Sequence, residues 1–357
     1  MALDVGSIVW TVDADTRGLN SAKRDMRGVT KEAKKTESAT DRMGRQFGVA
    51  SKAAFGAAAG LAAVAAAAAL LNRARREITS FSQAVADLSA ITGAVGDDLQ
   101  YYIDQSKLLG RTTSFTAAQV VEGYQLIGSA KPDLLGNAQA LNQVTESALT
   151  LAEAAGITLP EAASALGSAL NQFGLDATRA DEVINILAAG SKQGAALIPQ
   201  ITEALRNAGP AANALSVDLA ETVAGIEALA ISGRQGADAG TGLRQVLLKL
   251  EKTADETLQP SIVGLAGAMA ELEARNYTST ELMDLFGEEA FAVAAALLEQ
   301  NGTLQQLNKT MRGTDTAFEQ ASVRMDTLAG DGKELDSAME GLYITIGEQL
   351  EPAFRRA

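Results

Sequence analysis

The sequence has no cysteine and no histidine. Without thiols there are no disulfides, no thiolate nucleophiles and no Cys-ligated zinc or iron–sulfur centres. Without imidazole there is no Ser-His-Asp triad, and no metal ligand or general base that titrates near neutrality. Any chemistry would rest on carboxylates, lysine or tyrosine. Aromatics are scarce, with nine Phe, five Tyr and one Trp in 357 residues, which argues against an aromatic-rich β core. All six prolines (Pro132, Pro160, Pro199, Pro210, Pro260 and Pro352) lie beyond the first 131 residues. Met1 to Val12 lacks the cationic start and long apolar stretch of a signal peptide.

What is abundant is alanine, 69 residues of it, in a chain that is 47% hydrophobic. Small residues of high helix propensity favour helices that approach closely. The length suits one large domain or two ordinary ones. The net charge of −14 disfavours nonspecific binding to nucleic acid or anionic membrane. That total hides an asymmetry. Residues 1–80 hold 13 Lys/Arg against 8 Asp/Glu, a net of +5, and the remainder holds 17 against 36, a net of −19. A basic segment is joined to an acidic body, so either the two surfaces are simply solvated differently or the basic segment has an acidic partner.

In chain order, Ser7–Val12 is the one convincing short strand, and Asp13-Ala-Asp-Thr supplies helix-start chemistry. From Leu19, Ala22, Met26, Val29 and Ala33 through Thr36 and Thr40 to Met43, Phe47 and Ala50, spacings alternate between three and four, as in a heptad seam. Two readings stand: self-association or packing on a partner, and a solvated helix docked on its own body. Ala53–Leu71 is nineteen uncharged residues, twelve of them alanine, with Gly56-Ala-Ala-Ala-Gly60 as a small-xxx-small motif. Its length suits a membrane span, but alanine contributes little to insertion, so a buried or self-associating helix is favoured. Asp13 to about Thr79 reads as one long helix. From Phe81 to Gln349 helix follows helix, with starts at Gly96-Asp-Asp, Ser114-Phe-Thr-Ala-Ala-Gln119, Thr158-Leu-Pro-Glu161, Asp176-Ala-Thr, Ser216-Val-Asp-Leu-Ala-Glu221 and Thr278-Ser-Thr-Glu281. Several of these have capping-box spacing. Thr303–Leu350 reads as longer, more polar helices broken by Gly330-Asp-Gly332. The fold class is all-α: a long N-terminal helix able to form a coiled coil, then a multi-helix bundle, with one short N-terminal strand at most. Domains are expected at 1–80, 81–302 and 303–357.

Catalytic motifs are missing. There is no Gly-x-Ser-x-Gly elbow and no phosphate loop, since Gly332-Lys333 is followed by glutamate. The glycine-rich stretch Gly233–Gly242 lacks dinucleotide-binding spacing and follows a helix, not a strand. Glu288-Glu289 and Asp97-Asp98 suit helix starts, where they complement the dipole. No catalytic, cofactor-binding or metal-binding residues are assigned, and no cofactor is expected.

Six segments, in order, resemble the conserved core of phage tail tape measure proteins, the tail length determinators. They are Phe81-Ser-Gln-Ala-Val-Ala-Asp-Leu-Ser-Ala-Ile-Thr-Gly93, Leu109-Gly-Arg-Thr-Thr-Ser-Phe-Thr-Ala-Ala-Gln119, the pair Leu149–Gly156 and Leu170–Leu175, Ile231-Ser-Gly-Arg-Gln-Gly-Ala-Asp-Ala-Gly-Thr-Gly-Leu-Arg244, and Phe286-Gly-Glu-Glu-Ala290. The most specific is the small-residue turn carrying Gly233, Gly236, Ala239, Gly240, Thr241, Leu243 and Arg244. The resemblance covers roughly residues 81–300, and a basic heptad followed by an alanine-rich helix is the usual prelude. It implies a structural component of the virion tail, assembled in the bacterial cytoplasm, that acts by assembly and not as an enzyme. Implied partners are further copies of the chain, the tail tube, tail tip or baseplate proteins and a tail assembly chaperone, with no specific nucleic-acid binding. Members of this family are commonly longer, so the chain reads as an N-terminal portion or a short member. Two rival readings remain: a membrane-active protein spanning through Ala53–Leu71, and a carboxylate-dependent cell-wall hydrolase.

Overall fold

A computed structural model of the chain describes the backbone of residues 57–354 and the side chains of residues 69–351. Among the described residues there are fourteen α-helices, three short 3-10 turns and no strand, so the protein is all-α. The expected strand at Ser7–Val12 and the heptad seam from Leu19 to Phe47 lie outside the described residues. By internal packing the chain divides into residues 1–71 and residues 72–357. In the first unit the described residues are 57–71, all helical, and no helix among the described residues is long and apolar enough to cross a membrane.

Helix α1 (Ala57–Thr92) runs past Thr79, where the sequence suggested an end. Nothing between Asn72 and Thr92 can break it, since that stretch holds neither glycine nor proline. It stops at Gly93, whose φ of +70° is the left-handed turn that glycine adopts without a Cβ penalty. The expected boundary at residue 80 therefore falls inside a helix. Ala74, Ile78, Phe81 and Leu88 form its buried stripe in the second unit.

The second unit continues with α2 (Gly96–Thr112), α3 (Ala117–Ala130), α4 (Ala138–Ala155), α5 (Leu159–Gln172), α6 (Ala180–Gln193), α7 (Ile198–Ala214), α8 (Leu219–Ile231) and α9 (Gly236–Glu251). Then come α10 (Pro260–Ala274), α11 (Ser279–Glu299), α12 (Asn301–Thr310), α13 (Thr316–Met325) and α14 (Leu328–Phe354). The predicted starts rest on real caps. Full capping boxes join Thr116 to Gln119, Thr158 to Glu161 and Thr278 to Glu281. The backbone N–H of each cap threonine holds Glu161 and Glu281 below the usual carboxylate range.

Three expectations need correcting. The cap of α8 is Asp218, and Glu221 does not reach back to close a box. The Asp176 cap opens a 3-10 turn at Ala177–Arg179 before α6 begins. Gly330 and Gly332 do not break the last helix; the break comes earlier, at Asp326–Thr327. There the Thr327 side chain accepts from the Gly330 N–H (3.0 Å) and so caps α14.

Helix α8 is the axis of the body. Every residue from Leu219 to Ala230 is buried, because α6, α7, α9, α10, α11 and α12 all pack around it. A helix apolar on all sides must sit inside a body, and this one does. The helices after residue 302 pack back on the same body. α12 lies on α8, and α13 lies across α4 and α6, where the Ala317 N–H donates to Asn185 Oδ1 (2.9 Å). α14 returns to α1 and α2, its Gly347 seated so closely that a Cβ there would lie 2.6 Å from Ile78 Cβ.

Candidate functional site

The Gly233–Arg244 segment changes structure partway along. Only Ser232–Gln235 is a turn, with Gly233 at φ +86°; from Gly236 onward the chain is α9. Ala239, Gly240, Thr241, Leu243 and Arg244 are thus helical, with Ala239, Gly240 and Leu243 buried and Arg244 exposed. The glycines work by absence. A Cβ on Gly240 would strike the carbonyl oxygen of Ala204 and lie 2.7 Å from Ala204 Cα. α7 and α9 therefore meet backbone to backbone, and they make the most extensive helix contact among the described residues. Gly242 does the same on the next face, where a Cβ would lie 2.8 Å from Val293 Cγ2 of α11. Asn207 stitches the pair, its Nδ2 donating to Ala237 O (3.2 Å) and Thr241 Oγ1 (3.3 Å).

The turn also touches the segment ahead of α7. Gln235 Nε2 donates to Ala195 O (3.0 Å), and Gln200 Nε2 donates to Gln235 Oε1 (2.7 Å). From below, Ala195 and Ala196 donate their N–H groups to Glu227 Oε2 at 2.7 and 2.9 Å. Glu227 is fully buried and its other oxygen, Oε1, has no hydrogen-bond partner among the described residues. Burial raises its carboxyl to about 7, a rise that the two backbone donors oppose. Gly194 makes room for it, since a side chain there would collide with the carboxylate, while one on Gly190 would meet Val223 Cγ1 at 2.7 Å.

A second glutamate of α8 works in the same way. Gly264 (φ +74°) kinks α10 and frees backbone N–H groups in mid-helix, and the Ala266 N–H donates to Glu221 Oε1 (2.7 Å). Burial raises this carboxyl too. The sequence reading took Glu221 only as part of a helix start and did not single out Glu227. The available signal was two glutamates in an otherwise uncharged, apolar helix. Such residues must either face water or find donors inside.

Gly287 (φ +71°) kinks α11 similarly, so Glu288 and Glu289 follow the break and face the start of its second half. A cleft of about 200 Å³ lies where α5 meets α6 and α7 meets α8, with Phe173, Val183 and Val217 in its wall. Its Arg312 is held by Asp218 (2.6 Å) and its Arg179 by Glu182, so it offers no unpaired cation. Among the described residues no group of three or more acidic side chains is placed to hold a metal ion. The geometry is that of a packing and capping core, with hydrogen-bond acceptors aimed at backbone N–H groups.

The chain is 26% identical over 297 residues to the tape measure protein of Pneumococcus phage Dp-1, covering 77% of this chain and 26% of that one. It is also 26% identical over 302 residues to the probable tape measure protein of Escherichia phage P2, covering 77% and 37%. It therefore spans only about a quarter to a third of the length of these relatives. No solved structure matches it. Residues 103–330, from α2 to the start of α14, match the family described as phage-related minor tail protein. With well over half of its length accounted for by that match, the chain belongs to the phage-related minor tail protein family.

Proposed function

We propose that this chain is the N-terminal and core portion of a tape measure protein, which sets tail length and templates tail-tube assembly in the virion tail, without catalysis. The similarity over about 300 residues to two proteins named as tape measure proteins carries the reading. A physical basis stands beside it. Helix rise is fixed at about 1.5 Å per residue, so residue count converts directly to distance. The unbroken α1, 36 residues or about 54 Å long, is such an element.

In this reading residues 1–80 form the extended part. The seam of Leu19, Ala22, Met26, Val29, Ala33, Met43 and Phe47 pairs copies of the chain. Residues 81–302 are the docking body, on which the helices of residues 303–354 pack back. The body meets tail tube, tip or baseplate proteins, and an assembly chaperone keeps the extended part soluble before the tube forms. The Gly233–Arg244 segment serves the body by letting α7 and α9 close, which leaves Arg244 outside for a partner.

The test changes length in whole heptads within the full-length gene product. Removing residues 22–35 preserves the seam and shortens tails by about 21 Å in electron micrographs, and duplicating them lengthens tails by the same amount. Intact tails of unchanged length in both variants would overturn the ruler reading.

A further inference from the structure

The buried carboxylate of Glu227 has no part in tail assembly as described above, yet its placement is costly and specific. Among the described residues its Oε2 is the one acceptor for the Ala195 and Ala196 N–H groups, and its Oε1 is enclosed without a partner. The cover over it is one short segment, in which Ala195 is exposed and Leu197 is 66% exposed while Ala196 between them is buried. The covering segment joins the end of α6 to the start of α7 and begins at Gly194, which stands just past the last residue of α6. Its two ends are tied to the flanking helices, the Gly194 N–H donating to Gly190 O (2.8 Å) and Leu197 O accepting from the Ile201 N–H (3.0 Å). Between them two bonds lie at the surface, the Leu197 N–H to Gln200 Oε1 (2.8 Å) and Gln235 Nε2 to Ala195 O (3.0 Å). Water can replace both at little cost.

We propose that Glu227 is a proton-linked latch on the Gly194–Leu197 segment. Ionised, it favours an open state in which the segment lifts and the carboxylate reaches water; protonated, it favours the closed state seen here. The direction follows from linkage. The closed state keeps the carboxyl near 7, whereas in water it returns to the ordinary range near 4.5, so the open state binds the proton less tightly and gains as pH rises. No neighbouring charge competes for control. Asp181, Glu182 and Lys192 of α6, Glu203 and Arg206 of α7, and Lys309 of α12 are all exposed. So are Asp238, Arg244 and Lys249 of α9, Glu273 of α10, and Glu281, Asp284, Glu288, Glu289 and Glu299 of α11. Of the half-buried acids, Glu251 is taken up by Ser261 and Glu271 by Arg275, and the buried Glu221 caps Ala266. Only burial and the two N–H donors act on Glu227. Opening breaks the Gln235–Ala195 bond, so the protonation state of Glu227 is transmitted to the Gly233–Gly236 turn.

The experiment is hydrogen exchange by mass spectrometry on the full chain at pH 6 and pH 8, corrected for intrinsic rates. The opening constant of a peptide containing residues 194–198 is expected to rise about tenfold from pH 6 to pH 8 in the wild type. It should stay constant in Glu227→Gln, and peptides from α5 should not change in either protein. A flat wild-type response, or the same rise in the variant, overturns the proposal. Should Glu227→Gln lose its helical circular dichroism, the ¹³C shift of the wild-type Glu227 carboxyl decides instead. A titration midpoint near 7 supports the latch, and one near 4.5 overturns it.

Discussion

At the scale of single residues, this protein is governed by what glycine omits and by where glutamate points. Gly240 and Gly332 are both helical glycines, yet they answer to different constraints. A Cβ at Gly240 would enter the Ala204 backbone, which has no flexible end to swing aside, whereas a Cβ at Gly332 meets nothing within 4 Å. Gly240→Ala is therefore expected to lower unfolding free energy by about 3 kcal/mol, the upper range for overpacking. Gly332→Ala should raise it by up to about 1 kcal/mol through helix propensity alone. Urea denaturation of the two variants checks the pair, and equal effects would contradict the close approach of α7 and α9. The motif containing Gly240 was legible in the sequence as a small-residue segment. That it is mostly helix, packed on α7, was not. A glycine that opens a turn and a glycine that admits a neighbouring backbone look the same in a one-dimensional sequence.

At the scale of elements, helix starts were the most legible feature, because capping is local. Thr158 and Glu161 satisfy each other within one turn, whatever the rest of the chain does. Thr158→Ala is expected to cost about 1 kcal/mol, read as a shift of the urea midpoint at unchanged slope. Helix ends and continuity were less legible. α1 runs on to Thr92 because nothing local stops it, and α14 runs through Gly330 and Gly332 because its cap is Thr327. Long-range caps were not legible at all. Glu221 serves Ala266, 45 residues away, and Glu227 serves Ala195 and Ala196 in the preceding helix connection. Such pairings exist only once helices have packed.

At the scale of the whole molecule, burying acids ties stability to pH. Glu227 is raised to about 7 in the folded state, against an unfolded value near 4.5. Its contribution is therefore fully present below about pH 4.5 and is lost as pH rises through about 7. The folded protein is expected to be about 2 kcal/mol less stable at pH 8 than at pH 5.5 on account of this group. Glu146, Glu221 and Glu340, also raised by burial, add in the same direction. Parallel urea titrations of the wild type and Glu227→Gln at the two pH values check this: the variant should lose about 2 kcal/mol of the difference. A wild-type stability that rises from pH 5.5 to pH 8 would reverse the sign and refute the assignment.

The sequence by itself determined the all-α class, the positions of most helix starts and the kinship with tail proteins. Those depend on composition, local spacing and ordered motifs, all of which survive in one dimension. Only the tertiary structure decided that α8 is the enclosed axis, that Gly240 lies against Ala204, and that two glutamates of α8 cap other helices from inside. The physical reason is common to all three. Each depends on which surfaces meet after folding, and burial and close approach are properties of pairs of elements that no single element encodes. The absent cysteine and histidine closed off thiol and imidazole chemistry. Inside this body Glu221 and Glu227 hold backbone N–H groups in place.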